Sequence, residues 1–187
     1  MATSIPWESG IQELNALRHK VIESYREDLP RIRPPTTDDE LAAAERQLGM
    51  PINSQYREFL KCANGWEGIC GDLLFGTDEF LRKNDFLRIV SECFDAYVEF
   101  KDEWAEPTPL DNVTAEDLLA IGLESWAGAL TLIGREGRPC AGQVFFIYNT
   151  AINVYEDFSH FFFTRYLDHQ RSASEIYEPK DDTSDHA

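Results

Sequence analysis

The chain has 187 residues, 34 acidic against 17 basic, giving a formal net charge of −17 and a pI near 4.5. That balance argues against direct nucleic-acid binding, which needs basic patches to neutralise phosphates, and against attraction to anionic membrane surfaces. A hydrophobic content of 43%, with 12% aromatics, suits a packed globule, and this length defaults to one domain burying about 70% of its unfolded surface.

In chain order, the opening MATSIPWESG has neither a basic region nor an apolar core, so no secretory signal is expected there. Ile11, Leu14, Leu17, Val21, Ile22 and Tyr25 recur at helical spacing and predict an amphipathic helix over residues 10–28, ended by Pro30. Arg31 to Pro35 reads as an extended connector, because residues before proline avoid the α region. Thr37-Asp-Asp-Glu40 is a capping box, and Leu41, Ala44 and Leu48 follow it at helical spacing up to the stop at Gly49 and Pro51. Ser54 is placed to cap a second short helix that turns Tyr56, Phe59, Leu60 and Ala63 inward and closes at Asn64-Gly65.

A brief strand is expected at Asp72–Phe75, then a turn or short helix from Thr77, then a longer helix from Asp85 to Trp104, broken by Pro107 and Pro109. Leu118–Ile121, Ala129–Ile133, Gln143–Tyr148 and Ile152–Tyr155 read as short strands joined by glycine or asparagine turns. Asp157 is placed to cap a closing helix running through His169, with Phe158, Phe161, Phe162 and Tyr166 on its apolar side. Short strands joined by tight turns cannot form a parallel sheet, which needs crossovers of about a dozen residues or more. The expected class is therefore α+β: a mainly antiparallel sheet with N-terminal helices, one long acidic helix and a C-terminal helix.

Pro34-Pro35-Thr36, Asp39-Glu40-Leu41, Glu45, Leu48-Gly49, Pro51, Tyr56-Arg57-Glu58-Phe59-Leu60 and Asn64-Gly65 form a fixed series. A second patch is Gly142 to Phe146 with Asp157-Phe158 and the aromatic run Phe161 to Phe163. In these residues the chain resembles the SUKH superfamily, which groups bacterial immunity proteins with fungal cell-wall-synthesis regulators of the Smi–Knr type. The resemblance implies a single SUKH-like domain over 31–177. Residues 1–30 would then be a helical extension packed on it, and 178–187 a disordered acidic tail. It also implies a non-enzymatic protein that binds a partner.

The long helix would carry two stripes. Phe86, Val90, Cys93, Tyr97 and Trp104 make an apolar one; Glu92, Asp95, Glu99, Asp102, Glu103 and Glu106 lie on the opposite side, two residues or about 200° away. From Glu92 to Asp117 there are nine acidic residues and one basic residue, Lys101, so like-charge repulsion works against the helix. The stripe is a solvated face, a docking surface for a basic protein or, least favoured because no EF-hand spacing occurs, a metal site. Trp66 with Glu67, and Trp126, stand in glycine-containing stretches; they either close the core or act as binding anchors. The candidate partner-binding set is thus Trp66, Glu67, Glu92, Asp95, Glu99, Asp102, Glu103, Glu106 and Trp126.

Reactive chemistry is scarce. There is no Walker, GxGxxG or GxSxG sequence, no EF-hand loop and no HExxH pair, so no catalytic residue, cofactor or metal is expected. Cys62, Cys70, Cys93 and Cys140 have irregular spacing without CxxC, which predicts reduced thiols in a cytoplasmic protein. A minor alternative is a small-molecule-binding or hydrolytic enzyme that pairs Cys140 with His160. Within the resemblance, the leading expectation is an immunity protein against a toxin with a basic cleft, such as a nuclease. A regulatory scaffold similar to the fungal regulators is the second.

Overall fold

The computed structural model describes residues 5–25, 31–69, 72–82, 91–92, 94, 109–124, 128–148 and 151–176. Seven strands lie in sequence order in one antiparallel sheet: β1 (Arg31–Ile32), β2 (Trp66–Ile69), β3 (Asp72–Leu74), β4 (Leu118–Glu124), β5 (Leu130–Gly134), β6 (Val144–Tyr148) and β7 (Ala151–Tyr155). The α+β expectation therefore holds. Two strands differ from the sequence expectation: β1 forms within the stretch read as an extended connector, and β2 contains Trp66, a position that reads as a loop. WEGI is too short and too glycine-broken to show alternation, and its pairing with β1 and β3 supplies what its propensity lacks.

Helices α1 (Trp7–Tyr25), α2 (Asp38–Leu48), α3 (Ser54–Leu60) and α4 (Thr77–Leu81) come from the first half of the chain. At the other end, α5 (Phe158–Phe161) passes through wider π-helical turns (Phe162–Asp168) into α6 (His169–Ile176), so the closing helix runs past His169. Ser91, Glu92 and Phe94 are also helical, and Phe94 is buried in the core; the rest of the expected Asp85–Trp104 helix lies outside the described residues, as do residues 178–187 and the side chains of Val21, Ile22 and Tyr25.

Helix boundaries follow local chemistry. Thr37 Oγ1 accepts the Glu40 N–H while the Glu40 carboxylate accepts the Thr37 N–H at 2.8 Å, so the capping box is complete. Gly49 ends α2 at φ +72°, a left-handed conformation that side chains disfavour. The cap of α3 is Asn53 rather than Ser54. Its Oδ1 accepts from the Gln55 and Tyr56 N–H groups, and its Nδ2 donates to Glu136 at 3.1 Å, a tie that Ser54 is not placed to make. Asp157 caps α5 by accepting the His160 N–H at 2.8 Å.

The core lies between sheet and helices. Leu41, Ala44, Tyr56, Phe59, Leu60 and Ala63 are fully buried, as the spacing predicts. The central strands β4 and β5 are largely apolar, with Thr131 the buried polar residue of β5, and carry buried residues on both faces, which is why they lack period-two alternation. Trp7 packs α1 into this core through ring contacts with Phe59, Phe158, Phe162 and Phe163 at 5.4–5.9 Å. Gly10 lets the helix approach: a Cβ there would stand 2.7 Å from Phe163 Cε1. Farther along, Glu13 and Arg171 join α1 to α6 through two hydrogen bonds of 2.7 and 3.0 Å.

Candidate functional site

The predicted binding residues fall into different settings. Trp66 has no exposed surface; its ring lies in the core on β2, and its Nε1 has no hydrogen-bond partner. In this conformation it can position a surface but cannot itself touch a partner. Glu67, its neighbour, is 43% exposed and accepts from Arg33 Nε at 3.1 Å. Glu92 is helical and exposed. Asp95, Glu99, Asp102, Glu103, Glu106 and Trp126 lie outside the described residues.

The described residues contain a cleft of about 1010 Å³ that the sequence reading missed. Its walls are Ile5 to Ser9 at the start of α1, the outer side of α3 with Lys61 and Cys62 beyond it, and Asp157 and Ser159 at the head of α5. Each wall is fixed from below. Trp7 anchors the first through its aromatic neighbours, and Phe59 turns α3 so that Gln55, Glu58 and Cys62 face away from the core centre. Gln55 ties the second wall to the third: its Nε2 donates to Asp157 at 3.0 Å and its Oε1 accepts the Ser159 N–H at 2.9 Å. Burial opposes ionisation of Asp157, but the His160 N–H, Ser159 and Gln55 outweigh it and hold the carboxyl below its usual range. Cys62 behaves in the opposite way. Burial, then the negative charges of Glu8 and Glu58, push its thiol pKa up, so it is not a prepared nucleophile.

Other titratable groups are structural in their surroundings. Asp72 is 2% exposed and accepts from the Tyr166 hydroxyl at 2.8 Å, with Arg165 Nη2 at 4.0 Å. Burial drives its pKa up to about 6. Such a perturbed carboxyl marks a functional candidate when it borders a cleft, but Asp72 does not line the one described here. The Cys140 thiol donates to the Asp117 carbonyl at 3.8 Å, and burial followed by the Asp117 charge raises its pKa. His160 is exposed and accepts the Glu156 N–H on Nδ1 at 3.3 Å. Among the described residues no three His, Cys, Asp or Glu side chains converge as a metal site, and no helix is long and apolar enough to cross a membrane.

A family model matches residues 35–164, well over half the chain, a range that spans α2, α3, strands β2 to β7 and the head of α5. The chain belongs to the SMI1 / KNR4 family (SUKH-1). A search of curated proteins found no match. The SUKH-1 segment includes α3 and the head of α5, but the first wall of the cleft, with Trp7 and Glu8, precedes it. A sequence signal for that wall exists: Pro6, Trp7 and Glu8 are a proline, an aromatic anchor and a first-turn acid, a helix start. Nothing in the sequence brings that start beside Glu58 and Asp157.

Proposed function

We propose that this protein is a non-enzymatic binding domain, an immunity protein that neutralises a cognate toxin by direct contact through an acidic surface. The observation that carries the reading is the excess of 34 acidic over 17 basic residues on a SUKH-1 scaffold, with nine acids against one base between Glu92 and Asp117. A toxin that attacks nucleic acid needs a basic cleft to hold phosphates, and a rigid acidic surface is its electrostatic complement. Steering by that field raises association rates toward about 10⁸ M⁻¹s⁻¹ or more at low salt, while affinity comes from a central anchored patch.

The test starts with affinity capture from the native host, followed by expression of the captured protein with and without this chain. Toxicity relieved by this chain supports the reading; a captured set of non-toxic cellular regulators replaces it with a regulatory scaffold. With the partner in hand, the triple variant Glu99→Lys, Asp102→Lys, Glu103→Lys should associate about tenfold more slowly or worse at low salt. An association rate indifferent to both the variant and the salt concentration removes the acidic surface from the mechanism.

A further inference from the structure

We propose that the cleft between the start of α1, α3 and the head of α5 receives a lysine or arginine side chain that a protein partner presents on an apolar stretch. The inference rests on the binding reading above and assigns that binding a place and a chemistry.

The first argument is unspent charge. Glu8 and Glu58 both line the cleft, and the charge of each acts on the Cys62 thiol, which lines it too. Among the described residues neither carboxylate has a hydrogen bond or ion pair. The other charged lining groups are engaged elsewhere. Lys61 Nζ lies 2.7 Å from Asp38 Oδ1, and Asp157 accepts from His160 N–H, Ser159 Oγ and Gln55 Nε2. Two exposed carboxylates therefore border a concavity whose one lysine is paired with Asp38.

The second argument is shape. About 1010 Å³ is at the upper end of the range for small-ligand sites, room enough for a side chain and part of its backbone. Ile5 and Pro6 give the cleft an apolar wall suited to the methylene stem of a lysine or arginine, with the charged head left at the two glutamates. The third argument is selection among occupants. A net charge of −17 repels a second copy and any anionic ligand, and it draws a cationic protein. The α1 wall lies outside the matched 35–164 segment.

The test is an NMR titration of the full-length ¹⁵N-labelled chain with Ac-Leu-Arg-Leu-NH₂, using Ac-Leu-Gln-Leu-NH₂ as the neutral probe. The arginine peptide should shift the Trp7 indole N–H and the amides of residues 55–62, binding at least about tenfold more tightly than the glutamine peptide. The double variant Glu8→Gln, Glu58→Gln breaks no side-chain hydrogen bond among the described residues and should keep its spectrum while losing that preference. Glu116→Gln, remote from the cleft, should retain it. Equal binding of the two peptides, no shift at all, or a preference that survives the double variant overturns the proposal. So do cleft shifts that grow with protein concentration alone, which would seat a second copy there. A toxin captured by the double variant at unchanged affinity sinks the cleft and leaves the immunity reading standing. Peptide binding in a chain that captures no toxin supports the cleft and removes the immunity reading.

Discussion

Glu79 and Asp72 are both carboxylates withdrawn from water, yet they titrate in opposite directions. Burial opposes ionisation of Glu79, but Arg33 grips it with two hydrogen bonds of 2.7 and 2.9 Å and the Gly76 N–H adds a third at 2.7 Å. Its pKa falls below the usual range. Asp72 has only the Tyr166 hydroxyl and a distant Arg165; its Oδ1 has no partner, and it sits directly across the ladder from Glu124, whose Oε2 has none either. Burial then prevails, and the pKa rises to about 6. Two differences separate them and act together: more donors are aimed at Glu79, and Asp72 is more deeply buried, 2% exposed against 15%.

Breaking the paired site should have the largest effect. Arg33→Met leaves Glu79 buried without its cation, a loss of about 3 kcal/mol in urea unfolding at neutral pH. In the parent protein the lowered pKa of Glu79 contributes stability that is present above about pH 4.5 and is lost as pH falls through the folded value. The variant should lose that acid dependence. An unchanged acid limb in Arg33→Met would show that the ion pair does not hold Glu79 ionised.

Asp72→Asn should do the reverse. With a folded pKa near 6 against 3.8 unfolded, the native state binds more protons between those values, so the contribution of Asp72 is complete below about pH 3.8 and is lost as pH rises through 6. Above pH 7 the ionised carboxylate costs about 3 kcal/mol, and asparagine removes that cost while offering an N–H to Glu124. We expect a gain of about 2 kcal/mol at pH 7.5 that vanishes near pH 4. A destabilised Asp72→Asn at pH 7.5 would mean that Arg165 compensates the charge more fully than its 4.0 Å separation implies.

These sites also mark how far the sequence could be read. The Thr37–Glu40 box, the Gly49 stop and the Asp157 cap are legible because every participant lies within a few residues. The strands from Leu118 onward are legible for the same reason, each being a short apolar run bounded by turn residues. Arg33–Glu79 spans 46 residues and Asp72–Tyr166 spans 94, so neither pairing has a local signal. The cleft is more remote still, because Trp7, Glu58 and Asp157 meet only after the α1 and α5 aromatics have packed on Phe59. Trp66 is instructive in the same way. Its glycine neighbours suggest a loop, yet pairing on both sides makes it a buried strand residue.

A smaller loss, about 1 kcal/mol, is expected for Thr37→Ala, which removes the acceptor for the Glu40 N–H at the start of α2. It separates a bonded but solvent-exposed carboxylate from the two buried ones, and urea unfolding should show no new acid dependence.

The smallest effect is expected where geometry alone would forecast a large one. Arg171 holds Glu13 with hydrogen bonds of 2.7 and 3.0 Å, a two-pronged grip like that of Arg33 on Glu79. The difference is solvent: the side chains of Arg171 and Glu13 are 48% and 44% exposed, against 18% and 15% for Arg33 and Glu79. Water and salt screen the exposed pair, and ordering two long side chains consumes much of its Coulombic gain. Arg171→Gln should therefore leave the urea midpoint unchanged, even at low salt, and α1 should stay docked through Trp7 and Gly10. Native-state hydrogen exchange along α1 checks this directly. If α1 amides lose protection in Arg171→Gln, the surface pair, and not the aromatic anchor, holds the first wall of the cleft in place.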